Sequence, residues 1–248
     1  MVLERARIER TPAALGTLWH RVRFILVSVL IVAAAAASWV GLDDRFYVYH
    51  AEVTGAVRVS PEEVFRASGL QGLHILWARP AQIEARILAA FPSLVSVDVA
   101  CRLPARCTIA VVERQPKTMW DENGQLWWVD DEGVVFPAEG ALAEGFLVQG
   151  PLPRDENGRL DERVRVAVAE LWASGANIAP TLQYVPGRGL LLTDARGWRV
   201  FVGQEPGMRR RLQILEWLAA DLQARGITPR FVDVRFPDAP YYSVVNDW

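Results

Sequence analysis

Residues 24–42 form one uncharged apolar run, with Arg21 and Arg23 on one side and Asp43 and Asp44 on the other. At about 1.5 Å of rise per residue, a helix of that length covers the roughly 30 Å hydrocarbon core of a bilayer. A helix satisfies its own backbone groups, so it is a form in which a single segment can cross lipid. The leading residues carry Arg5, Arg7, Arg10, Arg21 and Arg23 against Glu4 and Glu9. The positive-inside tendency then keeps the N-terminus in the cytoplasm and puts the chain from about Asp43 onward on the other side. A cleaved signal peptide is the rival reading, because residues 33–38 contain A-x-A triplets. The basic leader and the apolar run are both long for one. On either reading the bulk of the chain is exported.

About two hundred residues follow the run, enough for one large or two small domains. Ten tryptophans and a hydrophobic content of 51% indicate packed cores rather than a disordered tail. The formal charge is −2, and the leader holds +3 of it, which leaves the exported part near −5. That balance disfavours nucleic acid as a partner. The two cysteines, Cys101 and Cys107, flank Arg102-Leu103-Pro104-Ala105-Arg106, which reads as a tight hairpin. Equal steps back from the turn set them opposite each other, at a spacing a disulfide accepts in an oxidising compartment. Two reduced core thiols are the alternative. His20, His50 and His74 have no ligand-like spacing with the cysteines, so no metal site is expected.

Tyr47, Tyr49, Ala51 and Val53 alternate with polar or smaller partners, the period-two mark of a strand that Gly55 ends. Ser60-Pro61-Glu62-Glu63 predicts a helix start with a capping box, and Gly69 its stop. Pro80 opens a second helix carrying Ile83, Ile87 and Phe91, which Pro92 closes. Alternation returns at Val95, Val97, Val99, Cys101 and Leu103, then at Cys107, Ile109 and Val111. Two helices packed on a three-stranded sheet satisfy that order. Beyond Lys117, Asn123-Gly124 predicts a hairpin between residues 119–120 and 126–129. Asp130, Asp131, Glu132 and Gly133 turn into Val134, Val135 and Phe136. Helices are expected over about 160–174 and 208–225. Strands are expected over 181–185, 189–193, 198–202, 231–236 and 241–245. The fold class is therefore α+β.

No catalytic constellation emerges: there is no G-x-S-x-G elbow and no Walker loop. The tetrapeptide Asp-Glu-Asn-Gly occurs at 121–124 and 155–158, but neither copy has the spacing of a calcium loop. The acid groups at 43–44, 121–122 and 130–132 raise a cell-wall glycosidase. They sit at a membrane exit or in turns, where solvated carboxylates are ordinary. The more informative segment is Tyr241, Tyr242, Ser243, Val244 and Val245, continued by Trp248. As a sheet edge it suits addition of a partner strand. As an interior strand, its side chains would fill the core.

Taken together, several segments resemble the FtsQ-type POTRA (polypeptide-transport-associated) domain. They are residues 51–55, the helix over 60–69, Phe91-Pro92-Ser93-Leu94-Val95-Ser96-Val97, Arg102-Leu103-Pro104, and Val111-Val112-Glu113-Arg114-Gln115-Pro116. Residues 127–136, Gly197-Trp198-Arg199-Val200 and Phe231-Val232-Asp233-Val234-Arg235-Phe236 resemble the β domain that follows it in the FtsQ/DivIB cell-division proteins. The resemblance implies a cytoplasmic segment at 1–23, a transmembrane helix at 24–42, a POTRA domain at 46–114 and a larger mixed α+β domain at 115–248. It implies a non-enzymatic, single-pass scaffold of the cytoplasmic membrane at the division septum, without cofactor. The implied partners are FtsB/FtsL-type coiled-coil proteins and the septal peptidoglycan synthesis machinery. Partner binding would fall on Arg235, Phe236, Tyr241, Tyr242, Ser243, Val244 and Val245. Phe236 brings no hydroxyl where the family usually has an aromatic that does. Two other classes remain in view. A POTRA-type secretion or outer-membrane assembly factor would need repeated POTRA units or a barrel. A cell-wall hydrolase would need a buried carboxylate in a cleft.

Overall fold

In a computed structural model of the chain, residues 13–142 and 144–245 are described. The first twelve residues of the basic leader, and Trp248, lie outside the described residues. The apolar run is part of helix α1, Ala13–Leu42, which begins well before the expected residue 24. Its stretch Arg21–Leu42 has a mean hydropathy of 2.4 and none of it is buried against protein, so it is long and apolar enough to cross a membrane. The last carbonyls of a helix have no partner within it. Here the Tyr47 hydroxyl donates to the Gly41 carbonyl at 2.8 Å, and the His74 Nε2 lies 3.2 Å from the Val40 carbonyl.

The described chain clusters into two compact units, one reaching residue 90 and adding 97–111, the other made of 91–96 and 112 onward. The first contains β1 (Tyr47–Val48), β2 (Ala51–Thr54), α2 (Pro61–Ser68), β3 (Leu73–His74), α3 (Pro80–Ala90) and most of β4 (Leu94–Arg102) and β5 (Arg106–Glu113). The single strand expected from Tyr47 is two: β1 pairs with β3, and β2 enters a three-stranded sheet in the order β2-β5-β4. β2 runs parallel to β5, with Ala51 opposite Cys107. Cys107, Ile109 and Val111 alternate inward, and Val64, Leu70, Ile83 and Ile87 are buried as well. Gly55 has φ +83°, and a Cβ there would sit 2.1 Å from the Val111 carbonyl oxygen, so glycine ends β2 for steric reasons. Gly69 closes α2 in the left-handed region. The capping box does not form. Ser60 is the N-cap and Pro61 follows it, but the Ser60 hydroxyl donates to the Glu62 carboxylate at 2.8 Å and makes no bond to the helix backbone.

The second unit holds β6 (Thr118–Glu122), β7 (Gln125–Val129), β8 (Val135–Pro137), β9 (Phe146–Gln149), α4 (Glu162–Ala173), β10 (Thr181–Val185), β11 (Gly189–Thr193), β12 (Arg199–Gly203), α5 (Met208–Ala224), β13 (Phe231–Asp233) and β14 (Tyr241–Ser243). Its strands form one sheet in the order β14-β13-β12-β11-β10-β9-β6-β7-β8. The chain is thus α+β throughout. β9, which has no counterpart in the expected elements, lies in the interior of the sheet, parallel to both β6 and β10. Glycines bracket it. A Cβ on Gly145 would lie 2.3 Å from the Lys117 carbonyl oxygen, and one on Gly150 2.4 Å from that of Tyr184. Trp120 is fully buried beside it, and its indole N–H donates to the Gly150 carbonyl at 2.8 Å. The main core joins Val164 and Leu171 of α4 and Leu215 and Leu222 of α5 to Leu182, Leu190, Val200 and Val232 of the sheet. Glu170 of α4 accepts from the Gly207 and Met208 N–H groups at 2.7 and 2.8 Å, capping α5 where Gly207 brings no side chain.

Candidate partner-binding edge

β14 is an outermost strand. Its inner side pairs antiparallel with β13, Phe231 opposite Ser243, Val232 opposite Tyr242 and Asp233 opposite Tyr241. Among the described residues no strand pairs with its outer side. The side chains of β11, β12 and β13 split by alternation between two faces. Leu190, Leu192, Val200, Val202 and Val232 enter the helix-covered core, with Tyr242 packed against it. Leu191, Phe201 and Phe231 form a separate cluster. Tyr241 meets Phe231 edge-on at 5.9 Å. Arg188 and Arg235 lie over the Phe201 ring at 5.4 and 5.7 Å. The edge therefore ends in an aromatic patch faced by two cations.

Two of the expected strands are shorter than the sequence implied. β13 stops at Asp233 rather than Phe236, because the Asp233 carboxylate accepts from the Arg235 backbone N–H at 3.0 Å and turns the chain. β14 stops at Ser243 rather than Val245. The Ser243 hydroxyl donates to the Val245 carbonyl and accepts from its N–H, folding Val244 and Val245 into a bend.

The remaining candidate residues fall as follows. The Arg235 guanidinium binds the buried Asp233 carboxylate, with Nη2 2.7 Å from Oδ2 and Nε 2.9 Å from it. Asp233 pushes the Arg235 pKa up, against the opposing effect of burial. Arg235 thus fixes the turn beneath the edge instead of reaching freely outward. Its ring contact with Phe236 is 5.4 Å, and Phe236 is 60% exposed. Tyr241, Val244 and Val245 are about half exposed, whereas Tyr242 and Ser243 are intermediate. Asp233 and the Phe201–Phe231 pair escaped the sequence reading. The signal for the pair was the unbroken apolar run of β11 and β12, since strands buried on both faces do not alternate.

Two of the acids that raised a hydrolase, Glu122 and Asp130, are engaged. Arg154 binds Glu122 at 3.0 Å and holds its carboxyl below the usual range. Arg114 binds Asp130 at 2.6 Å, and Asp130 also accepts from the Glu132 and Val134 N–H groups. Asp130 is buried, which corrects its reading as a solvated turn acid. A groove of about 650 Å³ beside α5 holds Glu216, which Arg196 likewise keeps below its ordinary pKa. A general acid needs the opposite shift. In the first unit, Cys101 and Cys107 are joined by a disulfide across the β4–β5 hairpin, with Cα atoms 4.1 Å apart.

Residues 47–114 match the family model described as POTRA domain, FtsQ-type. The chain therefore carries an FtsQ-type POTRA domain at these residues. It is 29% identical over 264 residues to the cell division protein FtsQ of Chloroflexus aurantiacus, covering all of this chain and 95% of that one. It is 28% identical over 233 residues to FtsQ of Chloroflexus aggregans, covering 91% and 84%. It is 28% identical over 209 residues to FtsQ of Myxococcus fulvus, covering 80% and 73%. The POTRA match takes in α2, α3 and the β2-β5-β4 sheet, and the FtsQ likeness continues through the sheet that carries β14.

Proposed function

We propose that this chain is a cell-division scaffold, anchored by α1, that recruits a partner segment by strand addition to β14. The observation that carries the reading is the open β14 edge, flanked by exposed Phe236, Tyr241, Val244 and Val245. An unpaired edge supplies N–H and C=O groups in register, and the side chains beside it select what binds. The likeness to FtsQ proteins supports a division role, and the partners proposed are small single-pass coiled-coil proteins of the FtsB/FtsL type. The scaffold would link septal peptidoglycan synthesis to the division ring. With its basic leader in the cytoplasm, the exported part would stand outside the membrane at the septum. Chemistry is not part of the role.

The test is complementation. A full chain lacking residues 237–248, expressed at normal level in the membrane, is expected to leave cells filamentous. Normal septation in that strain would overturn the edge as the working surface.

A further inference from the structure

The POTRA domain carries a second surface, at the end nearest α1. β5 runs parallel to β2 with Cys107 opposite Ala51, so the hairpin tip between Arg102 and Arg106 projects from the end of the sheet at which the chain arrives from the helix. The tip is Leu103, 66% exposed and flanked by those two exposed arginines. The disulfide locks the base of this hairpin. A second exposed apolar turn lies close to the helix. His74 reaches the Val40 carbonyl, within one turn of the end of α1. Its Nδ1 accepts from the Leu76 N–H at 3.3 Å, which starts a short 3₁₀ turn over Ile75–Trp77. The Nε2 must then carry the proton and donate to Val40. Leu76 and Trp77 are 64% and 69% exposed, and Arg79 follows them.

The distances are short. A 3₁₀ turn rises about 2 Å per residue, so Trp77 lies within roughly 6 Å of His74 along the chain. The headgroup layer on each side of a bilayer is itself roughly 5–7 Å deep. Tryptophan prefers that layer, and arginine meets the phosphates within it.

We propose that Leu76, Trp77 and Leu103, with Arg79, Arg102 and Arg106, seat the POTRA domain on the headgroup region of the membrane that α1 crosses. Continuity with the anchor identifies the occupant as phospholipid: His74 and Tyr47 tie the domain to the last turn of α1, so these side chains are delivered to the surface the helix leaves. The inference rests on α1 being a membrane span. His74 acts as a positioning residue, holding the turn to the helix end.

The test places an environment-sensitive fluorophore on single added cysteines of the full chain in nanodiscs of phosphatidylethanolamine and phosphatidylglycerol. The native cysteines stay paired under non-reducing conditions. The variants are Trp77→Cys, Leu76→Cys as its replacement should the first misfold, Leu30→Cys within α1, and Val57→Cys past the far end of β2. The Leu30 probe is expected to be quenched by deep lipid spin labels. The Trp77 probe should be quenched by shallow labels and about three-fold less by iodide than the Val57 probe. If the Trp77 probe quenches with iodide like Val57 while Leu30 stays in lipid, the docking surface is wrong and the anchor stands. If the Trp77 probe is shielded from both quenchers, protein rather than lipid covers it, and the proposal also fails. If the Leu30 probe is open to iodide, the anchor reading falls and takes the proposal with it.

Discussion

The two edges of the nine-stranded sheet are held in similar ways and finished differently. Beneath β14, the buried Asp233 binds Arg235 and shapes the turn that follows β13. Before β8, the buried Asp130 binds Arg114 and shapes the turn between β7 and β8. Both edges are thus pinned by an aspartate that serves backbone N–H groups and an arginine at once. The finish differs. β8 ends in Pro137, which has no N–H to offer a further strand, a common way of closing an edge. β14 contains no proline, and exposed Tyr241 and Val244 stand on and beside it. Similar pinning with unequal edge chemistry is the contrast that favours β14 over β8 in the proposed strand addition.

The largest expected effect separates the edges by function. Replacing Val244 and Val245 with Asp should abolish partner capture. Glu139→Lys, at an exposed site just past β8, should leave it within about two-fold, because a charge beside an already closed edge changes little. Pull-down of the full chain from membranes reads both. The next effect tests whether the two turns are equally firm. Arg235→Ala leaves Asp233 buried beside an empty site and should destabilise the second unit by about 3 kcal/mol, in urea unfolding. Arg114→Ala should do the same at the other edge through Asp130. A large inequality would break the comparison at its root.

A smaller effect should spare both edges. Cys101→Ser opens a short loop in the POTRA domain and should cost about 2 kcal/mol there, with partner capture unchanged. The smallest concerns pH. Arg154 and Arg196 hold Glu122 and Glu216 below their ordinary pKa of 4.5. A carboxylate with a depressed folded-state pKa contributes stability that is present above its unfolded value and is lost as pH falls through the folded one. The urea midpoint should therefore drop below about pH 4.5, and less so in Glu216→Gln, while capture by β14 stays as it was.

Much of this was legible from local chemistry. Asn123 at φ 56° and Gly124 at φ 87° make the tight turn that their residue types require. The recurrence of Asp-Glu-Asn-Gly shows where local reading ends. At 121–124 the two strands pair up to Glu122 opposite Gln125, a two-residue turn. At 155–158 the same residues close a wider loop, in which the Asp155 N–H donates to the Arg159 carbonyl and its carboxylate accepts from Asn157 and Arg159. The flanking strands, not the tetrapeptide, choose between the two. β9 was invisible because four residues between glycines carry no period, and its place is set by β6 and β10. The α5 cap was invisible because Glu170 comes from another helix. At the candidate site, the edge strand could be read from its aromatic and β-branched residues. That Asp233 is buried beside Arg235 could not be read from the sequence.

The most direct test of strand addition is photocrosslinking in the cell from a reactive amino acid at Val244, set against one at Val135 on β8. Capture of a small single-pass coiled-coil division protein from Val244, and not from Val135, is the expected result. Equal capture from both positions, or capture from Val135 alone, would contradict the assignment of β14 as the working edge.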